Sequence, residues 1–479
     1  MDSLTEDIWT MIFVRLPLKS IASSKLVCKQ WKSILESPFL RKLFLSRHQN
    51  SHSMWSLIVK DHQHEAVAHY GGDIWGHPPQ QLGSYIVPCI TQTLINHKEK
   101  YRQARVVAYT DVGLILIRLV STIGNVSLYV ANPVSRECVE TSPPWFEITE
   151  YHRNLGLATR ADENGFVLGY KVVLLYDVET WTKKSFNLLI YSSETGLWRQ
   201  ETVQFPYSFR SHVFRYSISL NGKLHWRARN NVHDEVVVSI DFYDMGSDHL
   251  VCRVTRFPDL KESPRFQRSC TVSQGSLMYM NVVSQGKEHH KLSVWRLKSS
   301  WEWQLVSEIS YDNDGYHYMP LAINPFDAET VYFWSNEDKC LVSMNLRIGK
   351  FVLHGKLERS CSNGSILKSQ GGHTFIQLAQ EFSSFVLPKW LYRIPNTVTN
   401  SRQPESSSNP TFIWWTKTPQ PSKDPANSSN TFLTFTREED KLNSTCPNID
   451  QKQSVKSTSY SPTSSHLAMA NRFCMLEDY

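Results

Sequence analysis

The chain has 479 residues, 41% of them hydrophobic and 12% aromatic, so it can hold two or three domains, or a small head followed by one large repeat array. A formal net charge of +6, with no long Lys/Arg run, gives nucleic-acid binding no support. Asp2, Glu6 and Asp7 stand where a secretory signal would be basic, the longest apolar run (Val112 to Val120) is too short to cross a bilayer, and the nine cysteines form no C-x-x-C pair, so no membrane span and a reducing cytoplasmic or nuclear setting are expected.

In chain order, residues 1–46 read as three short helices. Ser3 and Glu6 have the spacing of a capping box that would open the first. Leu4, Ile8, Met11, Ile12 and Leu16 then fall on one helical stripe, with Trp9 and Phe13 as a second apolar edge. Pro17 ends this helix. Leu18 and Ile21 begin a second, and Val27, Trp31, Ile34 and Leu35 mark a third. A unit of about 40 residues is at the lower limit for burying its own core. Its surplus apolar surface therefore wants a partner, either another part of this chain or another protein.

The Leu16-Pro17 break, Ile21 after it, and the string Leu26-Val27-Cys28-Lys29-Gln30-Trp31 make this segment resemble the F-box, although it opens Leu4-Thr5 where most F-boxes open Leu-Pro. The resemblance implies docking to a Skp1-like adaptor, and through it to a cullin. With the surplus apolar surface, it points to Leu4, Ile8, Ile12, Leu16, Pro17, Ile21, Leu26, Val27 and Trp31 as the adaptor-binding residues.

From about 55 to 392 the helical period gives way to short Val-, Ile-, Leu- and aromatic-rich runs punctuated by Gly, Asn, Asp, Ser and Pro. Strands are predicted at 105–109, 113–119, 126–131, 170–176, 186–191, 197–204 and 216–220. More follow at 223–228, 235–240, 250–255, 277–283, 291–297, 302–307, 330–335, 340–345, 350–354 and 374–378. Asn221-Gly222 is the best hairpin signal, a type I′ pair, and Gly196 marks another turn. About 20 to 24 strands would form roughly five to six groups of four, which fits a β-propeller with kelch-like blades. A stacked pair of β-sandwiches is the competing architecture.

Several phrases resemble the F-box-associated domain of plant F-box proteins, often grouped with kelch-type receptors. They are Tyr129 to Arg136 with its Asn132-Pro133 turn, Tyr170-Lys171-Val172-Val173, Tyr191 to Trp198, Asn221 to Trp226, Asn324-Pro325-Phe326-Asp327, and Phe385 to Trp390. Each phrase alone is weak; their order is specific. The expected architecture is a small all-α F-box head (1–46), then an all-β domain (55–392) of the propeller kind. After it, residues 396–479 are rich in Ser, Thr, Asn, Gln and Pro, and this composition predicts a disordered tail.

Candidate chemistry is thin. His62, His64, Glu65 and His69 read as a solvated loop rather than a metal site, and His289-His290 as a polar turn. Asp312-Asn313-Asp314-Gly315 lacks the spacing of a calcium loop and reads as an inter-strand turn. Cys28 reads as a buried packing residue. Trp75, Trp145, Phe209, Arg210 and Tyr316 are of the types that anchor protein interfaces, though core roles compete. No nucleotide, nucleophile-elbow or zinc-protease motif occurs, so no catalytic residue, cofactor or metal is expected. The resemblance implies a substrate receptor of an SCF-type (Skp1-cullin-F-box) ubiquitin ligase, holding an unknown target protein. A non-ligase F-box binding protein and a propeller enzyme stay open beside it.

Overall fold

The computed structural model describes residues 5–48 and, apart from 71–100, 360–381 and shorter stretches between strands, residues 55–395. The Leu4 and Ser3 positions, the strand expected at 374–378 and the tail at 396–479 lie outside the described residues. The head has four helices where three were expected: α1 (Glu6–Phe13), α2 (Leu18–Ser24), α3 (Lys29–Glu36) and α4 (Pro38–Arg47). The fourth is signalled by Ser37-Pro38. The Ser37 hydroxyl accepts from Leu40 N at 3.1 Å as N-cap, and Pro38 takes the first helical position, where a missing N–H does no harm. α1 begins after an extended Thr5 that makes no side-chain cap bond, and the Ser3 of the expected capping box lies outside the described residues.

Beyond the head, the described residues form antiparallel sheet in six four-stranded blades. Blade II is β3 (Tyr101–Tyr109), β4 (Ile115–Ser121), β5 (Val126–Asn132) and β6 (Glu137–Glu140). Blade III is β7 (Leu155–Ala161), β8 (Val167–Tyr176), β9 (Lys183–Ser192) and β10 (Leu197–Phe209). Blade IV is β11 (Arg215–Leu220), β12 (Lys223–Arg229), β13 (Glu235–Asp241) and β14 (Cys252–Arg256). Blade V is β15 (Phe266–Ser273), β16 (Ser276–Ser284), β17 (His289–Leu297) and β18 (Trp303–Asp312). Blade VI is β19 (Tyr318–Ile323), β20 (Thr330–Ser335), β21 (Cys340–Asn345) and β22 (Phe351–Leu353).

Blade I closes the ring from both ends of the domain. Its order is β23 (Glu358–Arg359), β2 (Ala66–Tyr70), β1 (Trp55–Val59), β24 (Phe382–Val386). The pairing of β1 with β24, Trp55 opposite Val386 through Val59 opposite Phe382, joins the start of the domain to its end. This is a β-propeller. The leading strands β3, β7, β11, β15 and β19 and the returning β24 approach one another from blade to blade, as strands round a common axis must.

Burial follows from that geometry. Each middle strand is covered on both faces by neighbouring blades, so β4 is buried at all seven positions. Its residues Leu116 and Val120, with Leu114 just before the strand, belong to the core shared with blade III. Its odd-numbered residues Ile115, Ile117 and Leu119 belong to a different core, described next. Apolar clusters fill the gaps between III and IV, IV and V, V and VI, and VI and I.

Between I and II the head takes part in the filling. One continuous core joins Phe13, Val14, Leu18, Ile21, Ile34, Leu35, Leu40 and Phe44 of the helices to Ile115, Ile117, Leu119 and Tyr129 of blade II. Blade I and the segment after it contribute Phe385, Leu387 and Trp390. The boundary between 1–46 and 55–392 therefore separates helix from strand but does not separate two cores, and 1–416 forms one compact unit.

Candidate functional site

The head divides its apolar residues between two faces. Phe13 and Ile21 are at most 1% exposed and Thr10 is buried beside them. On the same helix Ile8, Met11 and Ile12, spaced i, i+3, i+4, are 44%, 46% and 37% exposed. Leu26 and Val27 are 53% and 62% exposed. They sit in the turn after α2, where Leu26 N donates to Ser23 O at 3.1 Å and Val27 N to Ser24 O at 3.2 Å. Phe39, in the first turn of α4, is exposed as well. The expected stripe of α1 is thus the open side, and the Trp9/Phe13 edge is the inward one.

Local chemistry fixes this face. Glu6 and Asp7 occupy the first turn of α1, where negative charge suits the helix dipole. After Phe13 the backbone tightens, with Arg15 N donating to Ile12 O at 3.1 Å and Leu16 N to Phe13 O at 3.0 Å. Pro17 then stands as the extended N-cap of α2, and its carbonyl accepts from Ile21 N at 3.0 Å. Trp9, Phe13 and Trp31 pack as an aromatic trio with centroid separations of 4.6 to 5.7 Å, pinning α1 against α3. Lys25 lies 3.7 Å from Glu36; burial pushes its ammonium pKa down, and the carboxylate opposes this.

The expected adaptor-binding residues divide accordingly. Ile8, Ile12, Leu26 and Val27 are exposed, while Leu16, Pro17 and Trp31 are half-buried. Ile21 is fully buried, so it shapes the face from beneath and offers no surface of its own. Met11 and Phe39 belong to the exposed set and were absent from the expected one; Phe39 goes with the helix that the pattern missed. Cys28 is exposed, not buried: it is the N-cap of α3, its sulfur accepting from Trp31 N at 3.4 Å. A small polarizable side chain at a cap looks, in sequence, like a packing residue.

The other candidates fall elsewhere. His69 lies in β2, opposite Ser56, rather than in a loop, and His62, His64 and Glu65 are outside the described residues. His289-His290 opens β17 rather than forming a turn; His290 is buried and stacks on Tyr311, centroids 5.6 Å apart. Asp312 ends β18, and Asn313, Asp314 and Gly315 are outside the described residues. Phe209 is core, 5.5 Å from Phe205; Trp75, Trp145, Arg210 and Tyr316 are outside the described residues. Among the described residues no group of three or more His, Cys, Asp or Glu is placed to hold a metal ion.

Two buried polar clusters escaped the sequence reading, because their members are far apart in the chain. The Arg268 guanidinium, 8% exposed, bridges Glu235 and Asp259 at 2.5 Å each, and its Nε also lies 2.8 Å from Tyr279 Oη. It ties β15 to β13, an inter-blade clamp. The Asp111 carboxylate accepts from Asn221 N at 2.9 Å and from Thr159 Oγ1 at 3.2 Å, joining blades II, III and IV; burial raises its pKa. Both clusters make contacts between blades.

Residues 53–396 match the family model described as F-box protein At3g26010-like, beta-propeller, and residues 1–43 match the F-box domain. The F-box protein At3g28330 of Arabidopsis thaliana is 51% identical, the match covering 83% of this chain and 97% of that one. The F-box protein At3g26010 of the same plant is 31% identical, over 82% of this chain and 90% of that one. At1g15680, named as an F-box/kelch-repeat protein, is 34% identical over 82% and 95%. An exposed apolar helical face, on a head seated in a six-bladed ring, is thus carried by a chain that belongs to the At3g26010-like family of F-box proteins with a β-propeller.

Proposed function

We propose that the protein is the substrate-recognition subunit of an SCF-type ubiquitin ligase. The head docks a Skp1-like adaptor, and through it a cullin, while the propeller holds a target protein. The work is positioning: the receptor raises the effective concentration of target lysines near the ubiquitin-charged enzyme, and its own residues make and break no bond. The reading places the protein in the cytoplasm or nucleus. Its main support is the open apolar set Ile8, Met11, Ile12, Leu26 and Val27, on a head that buries eight other apolar side chains in the core it shares with the propeller.

The test substitutes residues that the fold does not need. Ile8→Glu with Val27→Glu should leave the melting temperature unchanged. It should weaken capture of Skp1 at least tenfold, since an interface anchor is typically worth about 2 kcal/mol. Leu16 and Pro17 are poorer probes, because both are half-buried and Pro17 caps α2. A folded double variant that captures Skp1 as well as the natural protein would overturn the reading.

A further inference from the structure

The head is built into the ring closure. Its last helix, α4, gives way within a few residues to Trp55, the first residue of β1. Trp55 is paired with Val386, the last residue of β24. The chain leaves β24 and runs as a strap, residues 387–394, back beneath the same helix. Along it Leu387 and Trp390 are buried in the core that the head shares with blade II. The Trp390 ring lies 5.0 Å from that of Phe44, itself fully buried on α4.

The strap is also tied down to blade II. Asn132 Nδ2 donates to Tyr392 O at 3.3 Å, the Tyr392 hydroxyl donates to Val112 O at 2.7 Å, and Ile394 N donates to Glu137 Oε2 at 3.0 Å. A second path runs from the head through blade III. The Arg41 guanidinium stacks over Phe166 at 4.6 Å, and Phe166 packs edge-on against Tyr392 at 6.2 Å. Among the described residues, blade I and its strap supply Phe385, Leu387 and Trp390 to the buried core between blades I and II, and the head supplies eight. The head therefore does there what a blade face does elsewhere.

We propose that the strap makes ring closure and the docking competence of the head one coupled equilibrium. Loosening the β1–β24 pair disorders the inner side of the docking helices, and a ligand held on their outer side tightens that pair. Linkage requires the effect to be reciprocal. The adaptor arm of this inference rests on the docking reading above; the coupling between head and ring does not.

The test is hydrogen exchange and adaptor binding on the full chain. Trp390→Ala should speed amide exchange throughout α4, which is distant in sequence. Phe44→Ala should likewise speed exchange in 55–59 and 382–386. Saturating Skp1 should slow exchange in those two strands, and Trp390→Ala should weaken Skp1 binding about fivefold or more, the lower end of typical couplings between sites, with no docking-face residue changed. Tyr392→Phe, which removes one hydroxyl bond, should act in the same direction more weakly and covers the case in which Trp390→Ala fails to fold. If the natural protein does not bind Skp1, the docking reading falls, and the two reciprocal exchange measurements still decide the coupling. Exchange changes confined to the substituted element, with the other element untouched, would overturn it.

Discussion

At the scale of single residues, the fold holds some groups in states that water would not choose. His225 faces away from the blade III core, with Nδ1 2.7 Å from Ser239 Oγ, and is only 3% exposed. Burial first, and then Lys223 beside it, lowers its pKa from 6.5 to about 4, so at neutral pH it is an uncharged hydrogen-bonding residue. The sign of the consequence is fixed. In the unfolded chain the imidazole takes up a proton as pH falls through 6.5, while in the folded chain it does not until about 4. The unfolded state therefore binds more protons in that window, and this contribution to stability is lost as pH falls from 6.5 towards 4 and is level below it. Urea unfolding at pH 7 and pH 5 should show a loss of about 1–2 kcal/mol assignable to this residue, and His225→Gln should flatten that part of the profile. An unchanged slope in the variant would mean that the ring is solvated in solution.

At the scale of elements, the middle strands of blades II to VI were legible, while those of blade I and several inner strands were not. β8, β9, β13, β16, β20 and β21 carry runs rich in Val, Ile, Leu, Met and aromatics, because two neighbouring blades cover them. The inner strands β7, β15, β19 and β24 went unread. Near the axis strands converge, and bulky alternation has no room. A Cβ on Gly156 of β7 would meet Leu224 Cδ1 at 2.5 Å and Ser217 Oγ at 3.1 Å. Small hydroxyls there bond to the neighbouring backbone instead: Ser217 Oγ to Leu155 O at 3.2 Å, Ser269 Oγ to Leu321 O and Ser273 Oγ to Asn324 O at 2.6 Å.

Turns were legible where the backbone demands a residue type. Asn221 and Gly222 have φ of 48° and 79°, both positive as a type I′ turn requires. Asn132 and Asn324 each fold their side-chain oxygen onto the amides two and three residues on, which is the shared basis of the two Asn-Pro phrases. For the hairpin this gives a test. Gly222→Ala places a Cβ 2.9 Å from Tyr243 Cδ2 at positive φ, and should lower stability by at least the ~1–2 kcal/mol of a left-handed L-residue. A neutral effect on the urea midpoint would mean that the turn relaxes to another type.

At the scale of the molecule, the propeller and the head were legible from phrases, but their joint was not. The closing blade draws two strands from each end of the domain, and β23 has only two residues, too few to carry a pattern. The role of the head as filling between blades I and II depends on contacts between residues 13–44 and 109–134, which no local spacing encodes. The architecture nevertheless makes nested truncation informative. The last contact described above is that of Ile394 with Glu137, so a chain ending at Asn396 keeps all of them. That shortened chain should be soluble, melt with the full-length protein and bind Skp1 equally. A chain ending at Gly349 instead loses β22, β23 and β24, which leaves β1 with an unpaired inner edge and the core between blades I and II without Phe385, Leu387 and Trp390. It should be insoluble, because an open ring presents strand edges and apolar faces together. A soluble, cooperatively melting product ending at Gly349 would mean that the blades stand without closure, and a fall of several degrees on cutting at Asn396 would mean that the tail is part of the fold.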